Sequence, residues 1–311
     1  MKKIAKFKKW IYFAAFFLVV LVGFFGAIDG DFAEKKWTQV FENIGLSDAH
    51  EKSNDVLGDF EVHFIDVGKA DSIYIKSAKA NVLIDAGDRE PHDTVVNYLK
   101  NHNVSKLDLV VATHPHRDHI GQMADVINNF EIGTFLEPDI PEDITPVTLT
   151  YEQMLKSLKN KNVNAKLAKA GENFVFDDFK MEVLGPISQG DSLNNNSIVL
   201  RVVYGGVSFL LTGDAEKTEE NEILESGRNV KSDVLKVGHH GSNSSTSPKF
   251  LASVSPKYAV IPVSPDKSGA PTDKVLGRLK KFCGENIYRT DKNGTIIILT
   301  DGEKIGVKTQ K

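Results

Sequence analysis

The ten residues THPHRDHIGQ, at positions 113–122, follow the apolar run LDLVVA and set three histidines and an aspartate within six positions. A short apolar run of that kind forms a buried strand, so the polar cluster sits at the strand's carboxyl end. On a tight turn after a strand, residues two apart project to one side, and His114 and His116 can then bind one ion. A helix that begins near Asp118 presents Asp118 and His119 from its first turn toward a neighbouring ion. Imidazole and carboxylate together suit zinc, manganese or iron. The bland alternative is a solvated loop that happens to be rich in histidine. The distribution opposes it: five of the nine histidines fall in two places, this loop and the pair His239–His240.

The first 28 residues are of a different kind. MKKIAKFKK holds five lysines and no acid, and the 19 residues from Trp10 to Ile28 carry no charge. A helix of that length, at about 1.5 Å per residue, spans roughly 28 Å, close to a bilayer core. Residues 10–28 are therefore expected to be a transmembrane signal anchor with residues 1–9 as a basic cytoplasmic tail. Residues 29–57 read as a polar stalk, and residues 58–311 as an extracellular domain. The competing reading is a signal peptide whose cleavage releases a secreted domain; Phe25, three residues before a cut following Ala27, fits it poorly. Without the five lysines the formal charge moves from −4 to −9. Such a domain is not a generally basic nucleic-acid binder, so contact with a nucleic acid would use a local patch or the metals. The one cysteine, Cys283, excludes an intrachain disulfide and a cysteine-based zinc site, and it reads as a packing residue.

From Gly58 onward short β-rich runs alternate with helical stretches. FEVHFIDV, SIYIKS and NVLIDAG read as a strand meander. HDTVVNYLKNHNV is a helix, LDLVVA a strand, IGQMADVINNF a helix beginning inside the histidine motif, IGTFLE a strand and YEQMLKSLKN a helix. The second half continues with strands KMEVLGP, SIVLRVVY and VSFLLTGD and the helix AEKTEENEILES, whose acids favour the positive end of its dipole. SDVLKVG and YAVIPVS read as strands, SPKFLASV and TDKVLGRLKKF as helices. NIYRT and TIIILT are strands around a DKNG turn. Meanders interleaved with helices in both halves suggest an α/β architecture of two sheets with helices outside.

HPHRDH resembles the HxHxDH motif of the metallo-β-lactamase fold superfamily. The strings FIDVGKADS, VLIDAGD, THPHRDHIG, NNNSIVLRVVYGGVSFLLTGD, DVLKVGHHGS and YRTDKNGTIIILTDG are similar, in order, to the extracellular metallo-β-lactamase-like domain of ComEC-type competence proteins, which internalise DNA. The resemblance implies a four-layer αβ/βα sandwich over about residues 59–311 and a site for two divalent metal ions, zinc expected and manganese the alternative. It implies metal ligands His114, His116, Asp118 and His119, with Asp214 bridging both ions. The last ligand comes from the His239–His240 pair. Adjacent residues at a strand end diverge, so His239 is assigned as ligand and His240 as a substrate contact. In the competence group an Asn-x-Ser-like element replaces a histidine that usually serves the first metal. Asn195, Asn196 and Ser197 occupy that place here, and Asn196 and Ser197 are read as substrate contacts. Arg117 adds a cation that could meet a phosphate or simply face solvent. Asp66 and Asp85 are expected beneath the ligands, orienting imidazole N–H groups, and are grouped with Asp118 as catalytic. The chain departs from the group at Lys69 and Ala70, where DVGQGD is common, and at Ala270, where a histidine is common. The group's multi-helix DNA channel has no counterpart in this sequence.

The chemistry that follows is hydrolysis by a metal-activated hydroxide. A phosphodiester, in DNA or in the cell envelope, is the leading substrate, which would make the chain a nuclease-type hydrolase. An esterase or lactonase is the enzymatic alternative, and an anchored accessory binding protein the non-enzymatic one.

Overall fold

The computed structural model describes residues 58–264 and 269–311. The expected tail, anchor and stalk lie outside the described residues. Among those described, no helix is long and apolar enough to cross a membrane.

Most strands are apolar on both faces, as strands covered on both sides must be. In β1 (Phe60–Phe64), Phe60, Val62 and Phe64 point into the space between two sheets. β2 (Ile73–Lys76) and β3 (Asn81–Ile84) follow as an antiparallel meander. The connection then changes character. α1 (Thr94–Asn101) carries the chain over to β4 (Lys106–Val111), which runs parallel to β3. α2 (Arg117–Ile120) and α3 (Met123–Asn129) lead to β5 (Glu131–Glu137), and α4 (Leu149–Asn160) to β6 (Ala165–Leu167), both again parallel.

The second half repeats the scheme. β7 (Asn173–Val175), β8 (Lys180–Gly185), β9 (Val199–Tyr204) and β10 (Val207–Leu211) form an antiparallel meander. Three crossovers follow: α5 (Lys217–Glu225) to β11 (Val234–Lys236), α6 (Pro248–Val254) to β12 (Tyr258–Ile261), and α7 (Asp273–Cys283) to β13 (Ile287–Arg289). These strands are parallel to β10 and to one another. A single-turn α8 (Thr290–Asn293) returns the chain to the first sheet, where β14 (Ile296–Thr300) pairs with β1, and β15 (Ile305–Thr309) with β14. The strand orders are β15-β14-β1-β2-β3-β4-β5-β6 and β13-β12-β11-β10-β9-β8-β7.

Three buried apolar layers hold the sandwich together. Phe60, Phe179, Phe209 and Val234 are among the side chains between the sheets, where Phe60 stacks on Tyr204 with ring centroids 4.7 Å apart. Val95, Leu99, Met123 and Met154 pack α1, α3 and α4 on the first sheet. Ile223, Leu251 and Leu279 pack α5, α6 and α7 on the second. Cys283 is buried in that last layer, as its packing role requires. The four layers expected from the sequence are thus present.

Three details differ from expectation. The helix expected over IGQMADVINNF is broken into α2 and α3 at Gly121 and Gln122. A Cβ on Gly121 would lie 2.3 Å from the Asp88 carbonyl carbon, so the chain turns where another loop presses on it. The short edge strands β6 and β7 are not expected from the sequence; their AKL and NFV segments are three residues long and largely exposed. The DKNG turn contains the single helical turn of α8.

Both parallel segments end at the same edge of the sandwich. β3 and β4 run into Asp85 and His114, and β10 and β11 into Asp214 and His239. Open sheets built from crossovers bind ligands outside such carboxyl ends. Phe209→Ala, which empties the layer between the sheets, is expected to cost about 3–5 kcal/mol. Urea unfolding of the full-length chain checks this, and an unchanged midpoint would contradict the packing described.

Candidate metal centre

Backbone hydrogen bonds clasp the two loops that begin the site. Ala86 N–H donates to the His119 carbonyl at 2.7 Å, Gly121 N–H to Gly87 at 2.8 Å, and Asp71 N–H to Asp118 at 3.1 Å. Gln122, the last residue of the opening motif, donates to the Asp88 and Pro91 carbonyls and accepts from Val95 N–H. The histidine loop therefore has neighbours fixed at both ends before any side chain is considered.

Asp85 is the first anchor beneath it, held in the left-handed region at φ 60°. Its carboxylate accepts from Thr113 N–H at 2.8 Å, Thr113 Oγ1–H at 2.7 Å and His119 Nδ1–H at 2.7 Å. With Nδ1 protonated toward Asp85, His119 Nε2 turns to Asp214 Oδ2, 3.4 Å away. That nitrogen is buried and has no hydrogen-bond partner. Asp214 is fixed from behind. Its backbone N–H donates to Ser197 Oγ at 3.1 Å, and the Lys236 ammonium lies 3.5 Å from its Oδ1. Gly213 before it has φ 50° and passes so close to Thr113 and Ser197 that a Cβ would meet both at 3.1 Å.

The histidine pair supplies the other side. His239 and His240 have φ 48° and 53°, and Gly241 follows at φ 86°. Left-handed backbone costs a non-glycine residue roughly 1–2 kcal/mol, and such strain collects at functional sites. The turn lets adjacent side chains converge instead of diverging as they would on a strand. His240 Nδ1–H donates to the Pro262 carbonyl at 2.9 Å, leaving Nε2 3.3 Å from Asp118 Oδ2 and 3.8 Å from Asp214 Oδ2. His239 Nδ1 lies 3.2 Å from Glu216 Oε1, and its Nε2 is also 3.8 Å from Asp214 Oδ2.

Asp118, His119, Asp214 and His240 thus offer four ligand atoms all within 4.8 Å of one another. On the other side of His119, the His114 and His116 rings meet edge to face, with His114 Nε2 2.9 Å from His116 Nδ1. His114 Nδ1 is occupied by Thr113 Oγ1 and Ser197 Oγ. This donor set of imidazole nitrogens and carboxylate oxygens, with an orphaned buried nitrogen at its centre, fits divalent metal ions.

The structure revises several expected roles. His240, expected as a substrate contact, is the member of the pair that joins the four-residue cluster, and His239, expected as the ligand, lies beside it with Nε2 3.8 Å from Asp214 Oδ2. Asp66 is not beneath the ligands. Its carboxylate pairs with Lys311 at 3.1 Å, whereas Asp71 is buried against Lys236. Asn196 is buried and spends its amide closing its own loop, on Gly190 and Ser192. Asn195 likewise bonds Asp191. Ser197 is a strut between Asp214 and His114, not a surface for substrate. Arg117 is exposed at the rim and pairs with Asp88 at 2.9 Å. Ala270 precedes Pro271, which backs the Gly241 turn.

Two buried residues went unread in the sequence. Lys236 is fully buried, donates to the Gly213 carbonyl at 2.6 Å and forms an ion pair with Asp71. Asp71 also approaches His240 Nδ1 at 3.6 Å. A lysine closing the apolar run DVLK, just before two histidines, was the available signal. Glu216, half-buried, also lies within reach of the site.

Burial works against every charge here, and pairing decides which survive. It leaves His114 well below, and His116 below, the ordinary imidazole range, so both stay neutral and able to ligate. Burial also opposes the His119 imidazolium, but Asp214 and Asp85 outweigh it and raise that group well above its usual range, so a cation that His119 ligates must displace the proton on Nε2. Asp214 resists the same penalty through His119, His240 and Lys236 and is held well below the carboxylate range. Burial disfavours the Lys236 ammonium, yet Asp71 and Asp214 raise it. On α5, burial pushes the Glu219 carboxyl well above the usual range, and the neighbouring Glu222 and Glu220 add to the effect.

The model of the Metallo-beta-lactamase superfamily matches residues 65–264. Among curated proteins, the chain is 32% identical over 260 residues to ComE operon protein 3 of Bacillus subtilis, a match covering 76% of this chain and 32% of that protein. It is 32% identical to Competence protein ComA of Neisseria gonorrhoeae, covering 74% of this chain and 31% of the relative. The match thus spans about a third of the length of these relatives. Among solved structures, the metallo-beta-lactamase fold protein YhfI from Bacillus subtilis superposes with a TM-score of 0.53 at 12% identity, over 76% of this chain and 99% of that one. CmlA, a diiron β-hydroxylase from Streptomyces venezuelae, gives a TM-score of 0.51 at 14% identity, over 75% and 53%. Likeness at these identities shows the fold alone.

Lys236→Met is expected to cost about 3–5 kcal/mol by leaving Asp71 buried without its counter-charge, and Asp71→Asn in the same chain should recover part of that loss. Chemical denaturation of both variants checks it; equal stability of single variant and parent would contradict the pairing. Glu219 carries a pH signature of definite sign. Its folded pKa lies above the unfolded one, so its contribution is fully present below the ordinary carboxyl range and lost as pH rises through the folded value. Glu219→Gln should therefore gain on the parent as pH is raised from 4 to 9 in thermal melts; a gap independent of pH would contradict the burial.

Proposed function

The chain belongs to the metallo-beta-lactamase superfamily, and on that premise we propose that it is a membrane-anchored, metal-dependent phosphodiesterase that acts on DNA outside the cell. The observation that carries the reading is the convergence of three imidazole nitrogens on one carboxylate oxygen. His119, His239 and His240 approach Asp214 Oδ2 at 3.4, 3.8 and 3.8 Å, beside the His114–His116 pair. Asp214 with these imidazoles, Asp118 and the His114–His116 pair would hold divalent cations, zinc first and manganese as the alternative. Divalent ions bound there supply Lewis acidity toward a phosphoryl oxygen and a nucleophile from water near neutral pH.

The protein's own part is orientation and exclusion. Asp85 keeps the His119 proton on Nδ1, and the Pro262 carbonyl does the same for His240, so both Nε2 atoms face the centre. Lys236 and Ser197 hold Asp214 from behind. His114, His119, Asp214 and His240 are buried, whereas the Asp118 and His239 side chains are 33% and 31% exposed, so a polymer gains access on that side. Arg117 stands at the rim, where its guanidinium can exchange Asp88 for a backbone phosphate.

DNA is favoured over other phosphodiesters because the relatives carry the names competence protein and, in Haemophilus influenzae, Recombination protein 2. The fold itself does not choose the reaction, since it also serves the diiron hydroxylase. The lysine-flanked apolar segment at residues 10–28 supports anchoring with this domain outside.

The full-length chain in detergent, supplied with manganese or zinc, should cleave bis-p-nitrophenyl phosphate and single-stranded DNA. Asp118→Ala should lower turnover by more than about 100-fold. Metal-loaded protein that leaves both substrates intact, or an Asp118→Ala variant as fast as the parent, would overturn the proposal.

A further inference from the structure

We infer that His239, held in place by Glu216, is a third histidine ligand for the ion on the His114–His116 side of Asp214, while His240 serves the ion beside Asp118 and His119. This rests on the two-ion reading above and assigns a residue to each of its positions.

Two observations divide the histidine pair. His240 completes the compact set with Asp118, His119 and Asp214, and His239 lies outside that set. Both nevertheless present Nε2 to the same Asp214 oxygen at 3.8 Å, with ring centroids 6.2 Å apart and planes inclined by 67°. They approach one carboxylate oxygen from different directions, as ligands of two ions sharing that oxygen do.

Glu216 gives His239 the build of a ligand. Metal-binding histidines commonly donate the second ring N–H to a carboxylate, which fixes the tautomer and the ring. Glu216 Oε1 lies 3.2 Å from His239 Nδ1, with Ser244 Oγ at 3.3 Å and Asn194 Nδ2 at 3.5 Å around the same atom. Asn194 Nδ2 also reaches Glu216 Oε1 at 3.4 Å. The other candidates for this position are occupied: Asn196 closes its own loop and Ser197 accepts from Asp214 N–H. The left-handed turn at 239–241 is what makes two adjacent histidines available to two ions.

Cobalt(II) binding to the full-length chain, followed by equilibrium dialysis and visible absorption, tests the assignment without an assay of activity. The parent should bind two ions. His239→Gln should weaken one of them at least about tenfold and leave the other unchanged. Glu216→Gln, at a half-buried position before α5, should weaken the same ion by about 10-fold. Adding His116→Gln to His239→Gln should still spare the second ion, whereas adding His240→Gln should weaken both. Two ions held by His239→Gln with the parent's affinities would overturn the assignment while leaving the two-ion centre standing. A parent that binds no cobalt would remove the centre and the assignment together.

Discussion

A single buried carboxylate, Asp214, organises this molecule's chemistry. Its Oδ1 side faces the Lys236 ammonium, and its Oδ2 faces three imidazoles. A charge taken out of water at such a depth is costly unless it is paired. Every neighbouring group can be understood from that requirement. Lys236 is itself fully buried and needs Asp71 as a second partner. Two carboxylates, Asp71 and Asp214, share that one ammonium, and Asp214 is shared with the imidazoles as well.

The fold meets the requirement by bringing two strand edges together. Strands β3 and β4 end beside β10 and β11, and the apolar layer between the sheets runs up to the carboxylates. Lys236 illustrates the transition. It follows Val234 on the same face of β11, at the point where the inter-sheet space stops being apolar and becomes the site. Crossover helices on the outer faces leave that edge free for loops, which carry the remaining ligands. The loops are joined to one another by backbone hydrogen bonds, among them Ala86 N–H to the His119 carbonyl and Asp71 N–H to the Asp118 carbonyl.

How much of this was legible in the sequence depended on how local each relation is. His114, His116, Asp118 and His119 share one turn, and their spacing announces a centre without any knowledge of the fold. Asp85 and Asp214 were legible because each ends an apolar strand. Asp66 and Asp71 both follow β1 in sequence, and only the course of the loop sets Asp71 against Lys236 while Asp66 pairs with Lys311. The convergence of His239 and His240 on Asp214 depends on two left-handed residues in succession, which no composition rule foretells. Glu216 and Lys236 acquire their roles through contacts 23 and 22 residues away in sequence. The exposed edge strand β6 had no apolar pattern to read.

The most direct test of the central claim is anomalous diffraction from crystals of the protein soaked in manganese. The account requires two peaks roughly 3.5–4 Å apart that share Asp214 Oδ2, one bounded by Asp118, His119 and His240, the other by His114, His116 and His239. Density lodged instead between Asp71 and Asp85, or no bound manganese at all, would contradict it.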